Sequence, residues 1–190
     1  MSSHHIVREN QEPALFIADP YLLSENHLHQ LLEWSPTVIT LSEQYETLKS
    51  LGMKVDVLLT DEKTKLDFLE ENLVLIPYSE DFLPILFHFL AEKKNYAVNL
   101  ILKDLNLDSL KTYLDDFNIN ILRGNSKILF VKQYEKWLPK GHQLSLPIED
   151  TAVISFSNTE QVADRTFQVL EDGFVKMESQ TDYVPLAEEI

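Results

Sequence analysis

The feature that constrains this chain most is an alternation. From residue 14 to residue 122, short apolar runs of strand length take turns with helix-like stretches. The first run, ALFIA (residues 14–18), stops at Asp19-Pro20. Ser24 then has the character of a helix cap, with Glu25 in the first turn and Leu28, Leu31 and Leu32 at helical spacing as far as Trp34. After Ser35-Pro36 the pattern predicts a strand over 37–41, a short helix over 43–51 ended by Gly52 as its C′ residue, and a strand over 55–59. A helical turn is expected at 66–71 and a strand at 73–76. Residues 82–92 are apolar on most sides and read as a packed helix, which tolerates Pro84 only because it falls near the first turn. A strand over 97–102, an amphipathic helix over 107–116 and a strand over 119–122 complete the series. Strand–helix alternation of this kind implies a mostly parallel sheet covered on both faces by helices.

The rhythm changes at Arg123-Gly124-Asn125. From Lys127 onward the apolar runs are short and strand-like, at 128–131, 143–146, 152–156, 165–170 and 174–178. Turn signals separate them, including Pro139-Lys140-Gly141 and Glu171-Asp172-Gly173. This predicts an α/β domain over 1–124 and a small antiparallel β domain over 125–190. The four glycines all fall at expected turns or helix ends, which leaves none for a phosphate-cradling loop.

Charge narrows the function classes. With 31 Asp and Glu against 16 Lys and Arg, the formal net charge is −15. Nucleic-acid backbones and anionic membranes are both bound through Lys and Arg, so neither is an expected partner. The absence of cysteine excludes disulfides, zinc–thiolate sites and thiol catalysis. No apolar run reaches the roughly 18 residues of a membrane span, and MSSHHIVRENQEP lacks a signal-peptide core. The expected location is the cytoplasm.

In open α/β sheets, ligands bind beyond the carboxyl ends of the strands. Asp61 and Glu62 lie there, as do Asp19 after the first strand and Asp104 after the strand ending at Leu102. Carboxylates converging from several strand ends hold Mg²⁺ and, through it, a nucleotide phosphate. Acids at loop tips are equally well explained as solvated side chains. The histidines form no metal spacing: His27 and His29 face different sides of a helix, His4-His5 is terminal, and His88 among Phe87, Phe89 and Leu90 reads as a packed histidine. Ser157-Asn158 reads as a turn, and Trp137 and Tyr134 as core or interface aromatics.

Read in order, HHIVRENQEPALFIA, HQLLEWSPTVITL, LKSLGMKVDVLLTD, NYAVNLIL, NSKILFVKQYEKW and EDGFVKM resemble successive segments of the thiamin pyrophosphokinase family over most of the 190 residues. The resemblance implies a Rossmann-like α/β domain carrying a C-terminal β-sandwich with a shortened thiamin-binding-like domain, and a homodimer. It also implies transfer of a pyrophosphoryl group from ATP to thiamin with Mg²⁺ and release of AMP. A nucleotide or thiamin-like small molecule is then the expected ligand.

The departures from the family pattern fall where the chemistry should be. The family's Asp-Gly-Gly turn is here Ser42-Glu43-Gln44, and its GDFDS turn is Thr60-Asp61-Glu62-Lys63-Thr64, with Lys63 in place of an acid. A lysine there removes a cation ligand and adds repulsion, although Lys63 can contact a phosphate directly. Its Thr-Asp helix start matches Glu80-Asp81, and its Gly-rich Arg-Asp-His segment falls on LNLDS, where Asp108 is the remaining acid. Its Ser-Asn pair corresponds to Ser157-Asn158, or to Thr166-Phe167 if EDGFVKM anchors the comparison; the second needs no gap near Gly173. The resemblance thus assigns Asp61 and Asp81 to the catalytic and metal positions and Ser42, Glu62, Lys63 and Asp108 to ligand binding. Two expectations follow. One is a degenerate pyrophosphokinase-like protein that binds a ligand or a partner and needs no cofactor. The other is an active enzyme using Mg²⁺ and ATP with rearranged acids Asp61, Glu62, Asp81 and Asp108.

Overall fold

Strand β1 (Ala14–Ile17) is ALFI, and none of its four residues reaches solvent. Such a run suits only the middle of a sheet covered on both sides, and that is where β1 lies in the computed structural model. The structure describes residues 12–61, 72–103, 106–147, 155–179 and 183–190. They fall into two compact units, residues 1–103 and 104–190.

In the first unit, β1 is joined by β2 (Val38–Leu41), β3 (Val57–Thr60), β4 (Val74–Pro77) and β5 (Ala97–Ile101). Their order is β5-β1-β2-β3-β4, and every neighbouring pair is parallel. The chain therefore steps outward from β1 to β4 and then returns to the other side of β1, which makes the β1–β5 boundary the topological switch point.

Local signals explain the helices. α1 (Glu25–Leu32) starts at Ser24, whose Oγ accepts the His27 N–H at 3.3 Å. α2 (Tyr45–Ser50) follows a 3₁₀ turn over Ser42–Gln44. Gly52 closes α2 at φ +73°, with its N–H donating to Lys49 O (3.0 Å) and the Met53 N–H donating to Leu48 O (3.0 Å). This pair of bonds is a Schellman end, and its left-handed C′ position favours glycine. α3 (Phe82–Glu92) buries Leu83, Leu86, Phe87, Phe89 and Leu90. Pro84 is its third residue, where the missing N–H breaks no helical bond. β3 joins the sheet two residues later than expected, because the Asp56 carboxylate accepts the Val38 N–H at 3.0 Å just before the ladder begins. The helical turn expected at 66–71 lies outside the described residues.

The second unit is built almost entirely of strands. β6 (Asn118–Arg123) and β7 (Ser126–Val131) form a hairpin across Gly124-Asn125, with Gly124 at φ +59°. They are followed by β8 (Gln133–Leu138), β9 (Gln143–Ser145), β10 (Ser155–Phe156), β11 (Thr159–Ala163), β12 (Thr166–Val169), β13 (Gly173–Glu178) and β14 (Val184–Glu189). One antiparallel array runs β11-β12-β9-β14-β7-β6, and a separate three-stranded sheet runs β10-β13-β8. Tyr134, Leu138, Val175 and Met177 from the small sheet share one core cluster with Leu144, Val169 and Leu186 from the other.

Several expectations change here. The amphipathic helix expected over 107–116 is a 3₁₀ segment, Leu107–Tyr113. Asn106 opens it by accepting the Asp108 N–H on its side chain and the Ser109 hydroxyl on its carbonyl. A stretch rich in Asp, Ser, Thr and Tyr gains little from an α-helix. Strands β8, β11 and β14 were not expected. The two compact units meet at 103/104, and β6 pairs with β7 as a hairpin within the second.

Candidate functional site

The carboxyl edge of β1–β4 gathers polar groups from successive strand ends. After β1, Asp19 Oδ1 accepts the Tyr21 N–H at 3.0 Å and so caps the short turn Pro20–Leu22. Within β2, the Thr40 hydroxyl is fully buried and donates to Ile17 O at 2.6 Å, tying β2 to β1. Ser42, the first residue after β2, is 4% exposed, and its hydroxyl donates to Asp61 Oδ1 over a long 3.5 Å. Asp61 itself directly follows β3.

Tyr78 occupies the corresponding place after β4, with its N–H on Thr60 O at 2.9 Å. Burial pushes its phenol pKa up, and the negative charges of Asp61 and then Glu43 push it further the same way. Its ring meets Phe82 edge-on at 6.5 Å, and Phe82 stacks on Phe16 of β1 at 5.0 Å. The first turn of α3 is thereby fixed above β1. Asp81 caps that helix, its Oδ1 accepting the Leu83 N–H at 3.0 Å.

The structure thus brings Ser42 and Asp61 together and gives Asp81 a capping role. Glu62, Lys63 and Asp104 lie outside the described residues. Asp108 belongs to the second unit, where it opens the 3₁₀ segment and pairs with Lys111 Nζ at 2.8 Å. Sequence reasoning missed Tyr78, Glu43 and Thr40. Tyr78 was accessible to the same strand-end argument as Asp61, but a tyrosine carries no obvious metal or phosphate signal.

The resemblance implies Mg²⁺, which takes six oxygens at about 2.0–2.1 Å, several of them from water or phosphate. The donor set does not fit well. Among the described residues, no three His, Asp or Glu side chains come together to hold a cation. Asp81 and Asp19 each accept a backbone N–H on one carboxylate oxygen, and the group beside Asp61 is the neutral Ser42 hydroxyl.

Among the other singled-out residues one reading is corrected. His88 is exposed rather than packed, at 3.4 Å from Glu92 on the solvent side of α3; its neighbours Phe87 and Phe89 take the buried face. Of the core and interface aromatics, Trp137 is 54% exposed and so lies outside the core, while Tyr134 is buried with its hydroxyl on Glu188 at 2.9 Å. Ser157-Asn158 forms a turn: Asn158 sits at φ +57° and bonds both to Glu171 O and to the Glu171 N–H. Phe167, the alternative to Asn158, packs its ring on Phe156 at 4.7 Å.

A cavity of about 850 Å³ opens at the opposite, amino end of the first unit's sheet, lined by Val38, Asp56, Val57, Val74, Phe89 and Asn95 among others. Size alone does not make it the better site. Asp56 is occupied by the Val38 N–H and Lys54 Nζ, and the Asn95 amide by Glu12 O. The carboxyl edge, by contrast, carries the titratable cluster.

No protein-family pattern and no curated protein matches the chain by sequence. Solved structures do match it by shape. Thiamine pyrophosphokinase from Bacillus subtilis superposes with a TM-score of 0.62 at 10% identity, covering 93% of this chain and 97% of that one. Yeast thiamin pyrophosphokinase gives 0.63 at 11% identity, covering 97% and 88%. A Lactobacillus plantarum protein gives 0.66 at 8% identity, covering 94% and 97%. The chain has the thiamin pyrophosphokinase fold. The similarity spans nearly the whole of each chain, so both units are included in it. No helix among the described residues is long and apolar enough to cross a membrane.

Proposed function

We propose that this chain is a thiamin pyrophosphokinase-like protein with impaired ATP:thiamin pyrophosphotransfer, which binds a nucleotide- or thiamin-like small molecule or a protein partner instead. Phosphoryl transfer rests on positioning and on neutralising the charge that develops on the transferred group. The observation that carries the reading is at the end of β2. Ser42 stands at the family's aspartate position and donates its hydroxyl to Asp61. An anionic oxygen is thus replaced by a neutral donor that consumes a lone pair of the remaining acid. Of the acids that the active-enzyme alternative draws on, Asp61, Glu62, Asp81 and Asp108, the last is paired with Lys111.

The second unit is read as a shortened β-sandwich of the thiamin-binding type, supported by the core that its two sheets share. A cytoplasmic homodimer completes the proposal by resemblance to the family. The test is formation of AMP and thiamin diphosphate from ATP, Mg²⁺ and thiamin. The expected turnover is more than about tenfold below that of a motif-complete enzyme, equivalent to about 1.4 kcal/mol of lost transition-state stabilisation. Turnover within that range establishes the alternative.

A further inference from the structure

The two carboxylates that the resemblance assigns to a divalent cation are both engaged by the fold. Asp81 Oδ1 accepts the Leu83 N–H at 3.0 Å at the start of α3, where the helix dipole favours a negative charge. Asp61 Oδ1 accepts the Ser42 hydroxyl and so links the ends of β2 and β3. Among the described residues no third acid or histidine completes a cation site with them. A magnesium ion bound here would share each carboxylate with its present donor, Ser42 for Asp61 and the Leu83 N–H for Asp81. We infer that Asp81 acts as a helix cap and Asp61 as an acceptor for Ser42, and that neither holds a divalent cation, so that a ligand in this crevice is held without a metal bridge through either residue. The inference rests on the proposed function only for the choice of these two positions.

The experiment is a Mn²⁺ titration followed by electron paramagnetic resonance on the full chain and on the Asp61→Asn and Asp81→Asn variants, which keep the side-chain shape and remove the charge. Thermal unfolding of the same proteins and of Asp81→Ala runs beside it. The expected result is a Mn²⁺ affinity, strong or weak, that is the same in all three proteins. A loss of about tenfold or more in either variant overturns the inference, since disturbing even an indirect support of a metal site weakens binding by about that much. Asp81→Ala is expected to lower Tm by about 2–4 °C while Asp81→Asn, which retains a capping oxygen, does not. An unchanged Tm in Asp81→Ala overturns the capping half. Metal affinity and turnover fail independently. An active chain whose Mn²⁺ binding ignores both residues sinks the proposed function and leaves this inference standing, and an inactive chain with Asp61-dependent Mn²⁺ binding does the reverse.

Discussion

Glu188 and Asp81 are both carboxylates fixed by the fold, in opposite settings. Glu188, on β14, is 5% exposed and accepts the Tyr134 hydroxyl and the Lys136 ammonium, each at 2.9 Å, from the facing strand β8. Asp81 is exposed at the start of α3 and holds one backbone N–H. A charge removed from water is tolerated only while its partners remain, so the first acid and its partners form one unit. A charge left in water contributes a modest, replaceable increment. The crevice acids of the first unit resemble Asp81 more than Glu188. That difference means that substitutions at the carboxyl edge touch acids that support little of the core.

The comparison is most sharply broken at Glu188. Glu188→Ala strands the Tyr134 hydroxyl in the core and leaves Lys136 to turn outward. It is expected to lower the stability of the second unit by about 3 kcal/mol, read from urea denaturation. A loss below about 1 kcal/mol places Glu188 in the surface class and removes the contrast.

Tyr134→Phe comes next, at about 1–2 kcal/mol, because it removes one of two donors from a buried carboxylate. It also changes the response to alkali. Burial, and then the charge and hydrogen bond of Glu188, hold the Tyr134 phenol well above its ordinary pKa of 10.0. Above that pH the unfolded chain releases the proton while the folded chain retains it. Stability present below the unfolded pKa is therefore lost as pH rises through and beyond it. Urea midpoints between about pH 9 and 11 should fall in the wild type and fall less steeply in Tyr134→Phe. The smaller shift of Tyr78, also upward, acts with the same sign and remains in the variant. Parallel slopes for the two proteins would show that Tyr134 is not gripped in this way.

The two units also differ in how far their residues announced them. In the first unit β1, β2 and β3 are buried on both faces and so lack polar alternation, which makes them legible as apolar runs, while the edge strand β4 is apolar although largely exposed. The cap Ser24 and the Gly52 helix end follow from short-range chemistry and appear where expected. In the second unit, β8 reads QYEKWL and β14 reads VPLAEE, both with charged or weakly strand-forming residues. Their pairing is set by distant partners, β13 for the one and β7 and β9 for the other. Glu188 and Lys136 even point charges toward the shared core, which no local pattern reveals. At the candidate site the position of Asp61 was legible from strand-end logic and that of Asp81 from the family resemblance. Their uses were not, because whether a carboxylate meets a metal, a hydroxyl or an N–H is decided by neighbours such as Ser42, which lies 19 residues before Asp61 in sequence.

The smallest expected effect tests the surface end of the comparison. Ser42→Ala removes a hydroxyl whose distance to Asp61 Oδ1, 3.5 Å, is at the outer limit of a hydrogen bond. Alanine fills nearly the same space and lacks the polar atom, so no cavity opens and no new group is left unsatisfied on its side. Asp61 is only partly buried and can recover the lost donor from water. The stability change should lie within about 0.5 kcal/mol of zero, measured by the same urea denaturation. A loss near that of Tyr134→Phe would mean that the Ser42–Asp61 contact is a tight, desolvated tie between β2 and β3. The end of that sheet would then belong with Glu188, and the fold would depend on residues of the candidate site.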